Sequence, residues 1–242
     1  MNKIYANSEK RELKERRGSF CTPKNLNQNV CRDFFSEQTK KYYKLFETQT
    51  WPCLEISGIR MHCVKGTDPE KSIQQMVSYL GGAHGIVLDA CAGLGYASIH
   101  LSRLSAVQEI HVFEIDPNVT ALSQKNLSSQ EFFSNPKIKF KQGNVFEEIK
   151  NFPSNFFDCI LHDPPSIKIA EELYSRAFYS EMVRVLKPGG IGFHYTGQTG
   201  VSKGKNLAAK TLEKLKNAGC RDLTITKEIA GVVFRKHGSK QK

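Results

Sequence analysis

The amino-acid sequence predicts an α/β fold, a doubly wound, mostly parallel sheet of seven strands, preceded by a small N-terminal extension and a β-hairpin. Short apolar runs alternate with helix-length amphipathic segments from residue 67 to residue 218. Such alternation is typical of a parallel sheet with helices on both faces. Two further strand patterns, at residues 222–226 and 231–235, follow each other and close the sheet. A glycine-rich turn follows the first buried strand, where sheets of this kind bind ligands.

The charge of the chain is unevenly distributed. The 242 residues carry a formal net charge of +11, and they are enough for one α/β domain with an appendage. We expect a basic N-terminal extension over residues 1–50, partly flexible with one helix, and the main domain over residues 51–242. Residues 1–50 hold 11 Lys and Arg against 6 Asp and Glu, and residues 235–242 hold 4 against none. These basic ends are either solvated tails or an electrostatic handle for RNA.

Apolar and cysteine patterns indicate the compartment. No apolar run approaches the ~20 residues of a membrane span, and the first residues lack an apolar signal region. The seven cysteines show no Cys-x-x-Cys pair and no Cys/His spacing suited to zinc. We therefore expect reduced thiols, no metal site and a cytoplasmic protein that does not bind membranes. The sequence leaves the oligomeric state open.

The elements before the main sheet are predicted from local patterns. Aromatic residues recur near helical spacing among lysines over residues 33–46, which predicts a helix packed on the main domain or, alternatively, a substrate-side lid that stacks on bases. Apolar triplets on both sides of Ser57-Gly58 predict a small β-hairpin. Thr67-Asp-Pro-Glu is typical of a helix start with Thr67 as the cap, and Gly81-Gly82 ends that helix.

The first two strands of the main sheet lead to a predicted nucleoside site. The first strand ends on Asp89, and a turn with Gly93 and Gly95 follows before the next helix. Glycine permits the sharp turn and lets a ligand approach the backbone. The second strand ends on Glu114, where a carboxylate accepts hydrogen bonds from ribose hydroxyls.

The spacing Asp89-x-x-x-Gly93-x-Gly95 indicates which nucleoside. A dinucleotide site has a third glycine, and Ser98 stands in its place. The spacing resembles motif I of the class I, Rossmann-like S-adenosylmethionine (SAM) methyltransferases, and the SAM ammonium suits a nearby carboxylate. Asn144 departs from the acid usual at the third strand end, but its amide oxygen can accept from the adenine amine. The resemblance implies SAM as co-substrate, surrounded by Asp89, Gly93, Gly95, Tyr96, Glu114, Asn144 and Val145.

The rest of the main domain continues the alternation of strands and helices. Parallel strands of this pattern bring their carboxyl ends to one edge of the sheet, beside the glycine-rich turn. The expected elements are strand 86–89, helix 97–104, strand 109–114, helix 117–129, strand 137–141, strand 156–162, helix 171–186, strand 191–195, a glycine- and Ser/Thr-rich loop 197–204, helix 206–218 and the two closing strands.

The acceptor site is predicted at the end of the fourth strand, in His162-Asp163-Pro164-Pro165-Ser166. Two prolines fix the backbone and remove two N–H donors, which leaves carbonyls and one carboxylate for the site. The pattern resembles motif IV of the amino-methyltransferases. That resemblance implies that Asp163 and the first proline carbonyl accept hydrogen bonds from a target amine and direct its lone pair at the methyl carbon. Asp163 is therefore the main catalytic candidate.

Other acceptor-site residues come with alternatives. Ser166 replaces the aromatic residue that stacks on a base in that family, which weakens the prediction of a nucleic-acid base as acceptor. His162 is a second catalytic candidate, as a base for a hydroxyl or thiol acceptor, or else an ordinary core histidine. Glu171, Glu172 and Tyr174 either cap a cationic acceptor or open a helix. The residues expected to bind the acceptor are Pro164, Pro165, Ser166, His194 and Tyr195.

Over residues 54–235 the chain also resembles a group of largely uncharacterised methyltransferases best represented in archaea. The matching stretches include Thr67-Asp-Pro, Glu114-x-Asp-Pro-Asn, Glu172-Leu-Tyr-Ser and Phe193-His-Tyr. The resemblance implies the fold and the use of SAM, but it supplies no substrate. We therefore expect a SAM-dependent methyltransferase that acts on a nitrogen of RNA or of a small amine or metabolite.

Two other classes of protein stay open. Aminopropyltransferases of the spermidine-synthase type use decarboxylated SAM on the same scaffold and carry more acids around the acceptor, as the pair Glu171 and Glu172 allows. A non-catalytic binder of SAM or nucleic acid is disfavoured by the presence of both Glu114 and Asp163, since a binder needs no acid at an acceptor site.

Overall fold

The part of the chain described by the computed structural model is residues 33–62, 66–197, 206–226 and 228–238. The flexible segment expected over residues 1–30 and most of the loop expected over residues 197–204 lie outside these ranges. Within the ranges, no helix combines the length and the apolar character needed to cross a membrane.

The first described residues form a small antiparallel sheet, here called the N-terminal sheet. Its strands are β1 (Asp33–Ser36), β2 (Lys41–Phe46), β3 (Cys53–Ile56) and β4 (Ile59–Arg60), paired in that order. The hairpin predicted around Ser57-Gly58 is confirmed. β2 and β3 are neighbours in one sheet, although they lie on opposite sides of the domain boundary predicted at residue 50.

The helix predicted over residues 33–46 is wrong. Tyr43 and Leu45 are buried, whereas Tyr42 is 40% exposed, so the side chains of β2 alternate between two faces. That period of two belongs to a strand. The aromatic spacing suggested a helix because Tyr42 and Tyr43 were counted on the same face, although pairing with β1 and β3 places them on opposite faces.

The main sheet has seven strands and is mostly parallel, as predicted. They are β5 (Gly85–Asp89), β6 (Val107–Glu114), β7 (Ile138–Gln142), β8 (Phe157–His162), β9 (Leu186–Tyr195), β10 (Cys220–Thr226) and β11 (Gly231–Lys236). Their order is β10-β11-β9-β8-β5-β6-β7. Only β11 pairs antiparallel, with β9 and β10, so the strands from β9 to β7 all run the same way.

Helices cover both faces of this sheet. They are α1 (Pro69–Ser78), α2 (Tyr96–Ser102), α3 (Pro117–Lys125), α4 (Gln130–Ser134), α5 (Val145–Glu148), α6 (Arg176–Val185) and α7 (Leu207–Asn217). Successive residues of β5 enter different buried clusters: Val87 packs with the cluster of Ile99, and Leu88 with that of Phe178. Because alternate side chains of a strand point to opposite faces, the sheet is the middle of three layers.

Several helix ends differ from the predictions. Asp68 rather than Thr67 caps α1, since its carboxylate accepts from the backbone N–H of Lys71 at 3.0 Å. The helix predicted over residues 171–186 begins as a separate 3₁₀ turn, Glu171–Tyr174. Extended backbone at Ser175 then interrupts the helix, and its hydroxyl caps α6 through the N–H of Phe178.

Candidate functional site

The site lies where β5, β6 and β8 end side by side. β5 is flanked by β6 on one side and β8 on the other, so the strand order reverses direction at β5. Ligands of doubly wound sheets bind at the carboxyl ends of strands at such a point. Asp89, Glu114 and Asp163 stand at these three ends, and the fold therefore brings together the acids that the sequence singled out.

Two glycines shape the turn after β5. Gly93 and Gly95 have φ angles of +52° and +82°, which favour glycine. A Cβ placed on Gly93 would meet no atom within 4 Å, whereas one on Gly95 would overlap the ring of Phe132. Gly93 thus leaves open backbone that a ligand can approach, and Gly95 is required by the packing of α4 beneath the turn.

The Glu114 carboxyl is fixed by the main chain on both sides. Its Oε2 accepts from the N–H of Gly93 at 2.9 Å, and its Oε1 accepts from the N–H of Asp116 at 2.8 Å. Burial raises the pKa of Glu114 to about 7, and these backbone hydrogen bonds oppose the rise. Each carboxylate oxygen keeps a second lone pair, so the group can still accept hydrogen bonds from a ribose.

Asp89 lies below the turn. Its side chain is fully buried, and its Oδ2 accepts from the hydroxyl of Ser98 at 2.6 Å. Burial raises its pKa to about 7. Asp89 thus lies under the turn and holds Ser98 near the start of α2, while its Oδ1 has no hydrogen-bond partner among the described residues. Its expected place beside the SAM ammonium stays a prediction.

Four carboxyls act electrostatically on Cys91 in this turn. Burial raises the pKa of the Cys91 thiol well above its usual value, and Glu114, Asp89, Asp163 and Glu172 add to the rise in that order. Within the described ranges, none of the four carboxyls forms an ion pair with a lysine or arginine. No group of His, Cys, Asp and Glu among the described residues could hold a metal ion. Among the described residues the site is therefore rich in carboxyls, and none of them is paired with a lysine or arginine.

Asp163 keeps its carboxyl available at the end of β8. Its side chain is partly exposed, and in the described part of the chain no donor hydrogen-bonds to it. Burial of the group and the nearby Asp89 raise its pKa to about 7. The Pro165 carbonyl accepts from the hydroxyl of Tyr174 at 2.9 Å and is therefore already used. Asp163 remains open to a ligand that donates.

The two histidines predicted at the site belong to the core. His162 and His194 are both fully buried, with stacked rings whose centroids are 4.3 Å apart. Burial lowers the pKa of each, in His194 to about 4, so both are neutral near pH 7. His194 contacts the Tyr179 hydroxyl through Nε2 at 3.0 Å. This burial favours the core alternative for His162 over catalysis, and it removes His194 from the acceptor pocket.

The remaining predicted residues occupy varied positions. The Asn144 side-chain oxygen, expected to accept from adenine, caps α5 by accepting from Phe146 N–H at 2.9 Å. Val145 is buried as the first residue of that helix. Ser166 is exposed and Tyr195 partly exposed. The Tyr96 hydroxyl donates to the Pro52 carbonyl at 2.8 Å, so its side chain faces the N-terminal sheet.

Sequence reasoning missed the contact of two residues close to Glu114, Tyr43 and Asp116. The Tyr43 hydroxyl donates to Asp116 Oδ2 at 2.6 Å, across 73 positions of sequence. In the sequence Asp116 appeared only within the stretch Glu114-x-Asp-Pro-Asn, and in the structure it also caps α3 through the N–H of Asn118. No local pattern could join it to Tyr43, because the contact depends on the docking of the N-terminal sheet.

Comparison with known proteins places this site in context. A family model described as the spermine/spermidine synthase domain matches residues 61–220. The chain is 40% identical over 194 residues to the uncharacterized protein MJ1233 of Methanocaldococcus jannaschii, a match that covers 79% of this chain and 66% of the relative. A solved spermidine synthase in complex with the transition-state analogue AdoDATO has a TM-score of 0.68 at 18% identity, over 86% of this chain and 74% of that chain, which shows the fold.

Relatives with a named activity are more distant. Polyamine aminopropyltransferase 2 of Streptomyces coelicolor is 29% identical over 135 residues, which are 52% of this chain and 24% of the relative. Putrescine N-methyltransferase 4 of Nicotiana tabacum is 24% identical over 152 residues, which are 61% of this chain and 39% of the relative. The chain spans less than two thirds of each of these curated relatives.

Proposed function

The chain belongs to the spermine/spermidine synthase domain family, and on that premise we propose that it transfers a methyl group from SAM to a nitrogen of a small cationic amine. The observation that carries the proposal is the acidic site at the strand ends. Asp89, Glu114 and Asp163 stand at the ends of three neighbouring strands, and none has an ion pair among the described residues. A site of this charge is suited to ligands that bring positive charge with them.

The donor side of the site fits a SAM-type nucleoside. The open backbone at Gly93 leaves room for the ligand, and Glu114 is positioned to accept hydrogen bonds from the ribose hydroxyls. At the adenine end, the Val145 backbone N–H and the Asn144 amide lie at the start of α5. When bound, SAM supplies a sulfonium-activated carbon, and the buried carboxyls favour that positive charge.

The acceptor side requires an amine nitrogen with a free lone pair. Asp163 can accept a hydrogen bond from the nitrogen and so direct the lone pair at the activated carbon. The new C–N bond forms as the C–S bond breaks, and the electron pair of the broken C–S bond stays on sulfur. The nitrogen then loses one proton, which the Asp163 carboxylate, with its pKa raised to about 7, can accept and pass to solvent.

A small amine fits this site better than RNA, the other acceptor class predicted from the sequence. RNA is a polyanion, and its phosphates would be repelled by the converging carboxyls. The basic ends that suggested RNA lie largely outside the described residues. The names of two relatives, a polyamine aminopropyltransferase and a putrescine N-methyltransferase, also support a cationic amine.

Aminopropyl transfer from decarboxylated SAM is a second candidate, favoured by one observation. SAM carries a carboxylate that decarboxylated SAM lacks, and no described lysine or arginine pairs with the acids of the site or stands among the charges that shift their pKa values. A donor without a carboxylate therefore meets the fewest unfavourable charges. The two candidates share the acceptor class and differ in the group transferred.

The test is binding followed by product analysis. The purified protein is titrated calorimetrically with SAM, S-adenosylhomocysteine and decarboxylated SAM, then incubated with each donor and a set of diamines and polyamines. Mass spectrometry distinguishes the mass added by a methyl group from that added by an aminopropyl group. A methylated amine supports the proposal, an aminopropylated amine supports the second candidate, and no binding of any donor contradicts both.

A further inference from the structure

The N-terminal sheet reaches the donor site at two points. Tyr43 of β2 contacts the turn after β6, and Pro52, just before β3, contacts the first residue of α2. These two contacts flank the place where Gly93 and Glu114 face the donor. The sheet is therefore joined to both edges of the donor site.

The contact made by Tyr43 is specific. Its side chain is fully buried, and its hydroxyl donates to Asp116 Oδ2 at 2.6 Å. Because its single proton is used there, the Thr39 hydroxyl, 3.0 Å away, donates to the Tyr43 oxygen. The ring stacks on Phe34 with centroids 5.4 Å apart. This buried hydroxyl both donates and accepts a hydrogen bond, and it therefore holds Asp116 in one position.

Asp116 links Tyr43 to Glu114 through hydrogen bonds. Its other carboxylate oxygen accepts from the backbone N–H of Asn118, which fixes the side chain to the start of α3. Its own backbone N–H donates to Glu114 Oε1 at 2.8 Å, while Gly93 donates to Oε2. A chain of hydrogen bonds thus runs from Tyr43 through Asp116 to the carboxyl that faces the ribose.

The second contact supports the other edge. The buried Tyr96 hydroxyl donates to the Pro52 carbonyl and accepts from the Asn126 amide at 2.8 Å. Trp51 packs on the Tyr96 ring with centroids 4.6 Å apart. α2 begins at Tyr96, directly after Gly95, so this contact fixes the end of the glycine turn.

From this geometry we propose that Tyr43 is a positioning residue for the donor, and that the N-terminal sheet is a working part of the donor site. The proposal rests on the proposed function, because it assigns Glu114 to the ribose of the donor. Loss of the Tyr43 hydroxyl leaves the Asp116 carboxylate held, among the described residues, by Asn118 alone and loosens the turn that presents Glu114. The affinity for the nucleoside then falls, while the acceptor side stays intact.

The test compares Tyr43→Phe with Tyr42→Phe. Tyr42 is the neighbour on the opposite face of β2, is 40% exposed, and donates to Asp33 at 2.6 Å, so this control also loses one phenol hydrogen bond. Calorimetry with S-adenosylhomocysteine should show binding about tenfold weaker in Tyr43→Phe and unchanged in Tyr42→Phe. The KM for the donor should rise with little change in kcat, and the melting temperatures should agree closely.

A second ligand separates positioning from packing. The 2′-deoxyribose analogue of S-adenosylhomocysteine lacks one hydroxyl for Glu114, so Tyr43→Phe should weaken its binding much less. In a Glu114→Gln background the same substitution should add little. If Tyr43→Phe lowers the melting temperature strongly, Asp116→Asn serves as the test variant instead, because asparagine keeps the helix cap. It should weaken the binding of S-adenosylhomocysteine more than that of the 2′-deoxy analogue.

Three outcomes overturn the proposal. Tyr43→Phe can bind S-adenosylhomocysteine as tightly as the unmodified protein does. Tyr43→Phe can weaken the binding of S-adenosylhomocysteine and of its 2′-deoxy analogue by the same factor, which would indicate packing alone. It can also weaken binding by the same factor with Glu114 and with Gln at position 114, which would indicate the same. If the unmodified protein binds neither SAM nor S-adenosylhomocysteine, the proposed function fails and this inference fails with it. Normal donor binding with an unaffected Tyr43→Phe variant leaves the proposed function standing.

Discussion

The two halves of the site that we propose for the donor and for the acceptor are built in opposite ways. On the donor side, two main-chain N–H groups already hold the Glu114 carboxyl. On the acceptor side, the Asp163 carboxyl accepts no hydrogen bond in the described part of the chain, and residues 166–169 after it are exposed. The comparison teaches that the donor half is pre-formed, whereas the acceptor half keeps its key group available until a ligand completes it.

Asp163→Asn should have the largest effect, and it should act on the acceptor half alone. The amide cannot take a proton from the acceptor nitrogen, so we expect turnover to fall by about 10²–10⁴-fold. Donor affinity should stay within about twofold, since the groups that hold the donor lie on other strands. Steady-state kinetics and calorimetry measure the two effects. Asp222→Asn, on an exposed residue with a φ of +51° that asparagine tolerates, is the matched control.

Glu114→Gln acts on the other half. The amide keeps the shape of the carboxyl but replaces one of its two oxygens by an NH₂ group, which cannot accept a hydrogen bond, so donor binding should weaken by about ten- to fiftyfold. With saturating donor, kcat should change little. Calorimetry with S-adenosylhomocysteine checks the first effect and kinetics the second. Loss of kcat with unchanged donor affinity would contradict the division of the site.

Tyr174→Phe sharpens the comparison within the acceptor half. The buried Tyr174 hydroxyl holds the Pro165 carbonyl at 2.9 Å, and its backbone carbonyl accepts from Lys214 Nζ at 2.6 Å. Loss of the hydroxyl loosens the loop that carries Asp163, so the KM for the amine should rise about three- to tenfold with donor affinity unchanged. Tyr179→Phe removes a core hydroxyl instead and should lower stability without this change in KM.

The pH dependence of stability gives the smallest effect. Glu114 is protonated in the fold up to about pH 7, whereas in the unfolded chain it ionises near its usual value. Its contribution to the free energy of unfolding is therefore full at acid pH and is lost as pH rises through about 7. The melting temperature of the unmodified protein minus that of Glu114→Gln should therefore be larger at pH 5 than at pH 8, by a few degrees.

A second acid provides the control for this titration. Lys141 holds the pKa of Glu148 below its usual value through a contact of 2.7 Å. Glu148 is therefore charged throughout the range from pH 5 to pH 8, and the gap between the unmodified protein and Glu148→Gln should stay constant there. A gap that moves equally for both variants would contradict the assignment to Glu114.

The sequence predicted those features that local patterns encode. The alternation of strands and helices gave the main sheet, and the spacing around Gly93 and the paired prolines after Asp163 gave the acids at its edge. It left His162 open between a catalytic base and a core histidine, because the groups packed on its ring, Phe178 and His194, come from distant elements.

The sequence predicted the hairpin of β3 and β4 but not β1 and β2, since the alternation of β2 is visible only once it is paired on both sides. Contacts between distant residues thus decided each miss. The same holds for Tyr43, whose role depends on a partner in another sheet.

The separation of Tyr43 from Asp116 also has a consequence for biogenesis. During synthesis Tyr43 leaves the ribosome 73 residues ahead of its partner. β5 lies between β6 and β8, so it can be paired on both sides only after β8 has emerged. Contacts of such long range form late, because the intervening chain must first be ordered. We therefore expect the contact between Tyr43 and Asp116, and with it the donor site that we propose, to be completed late in folding.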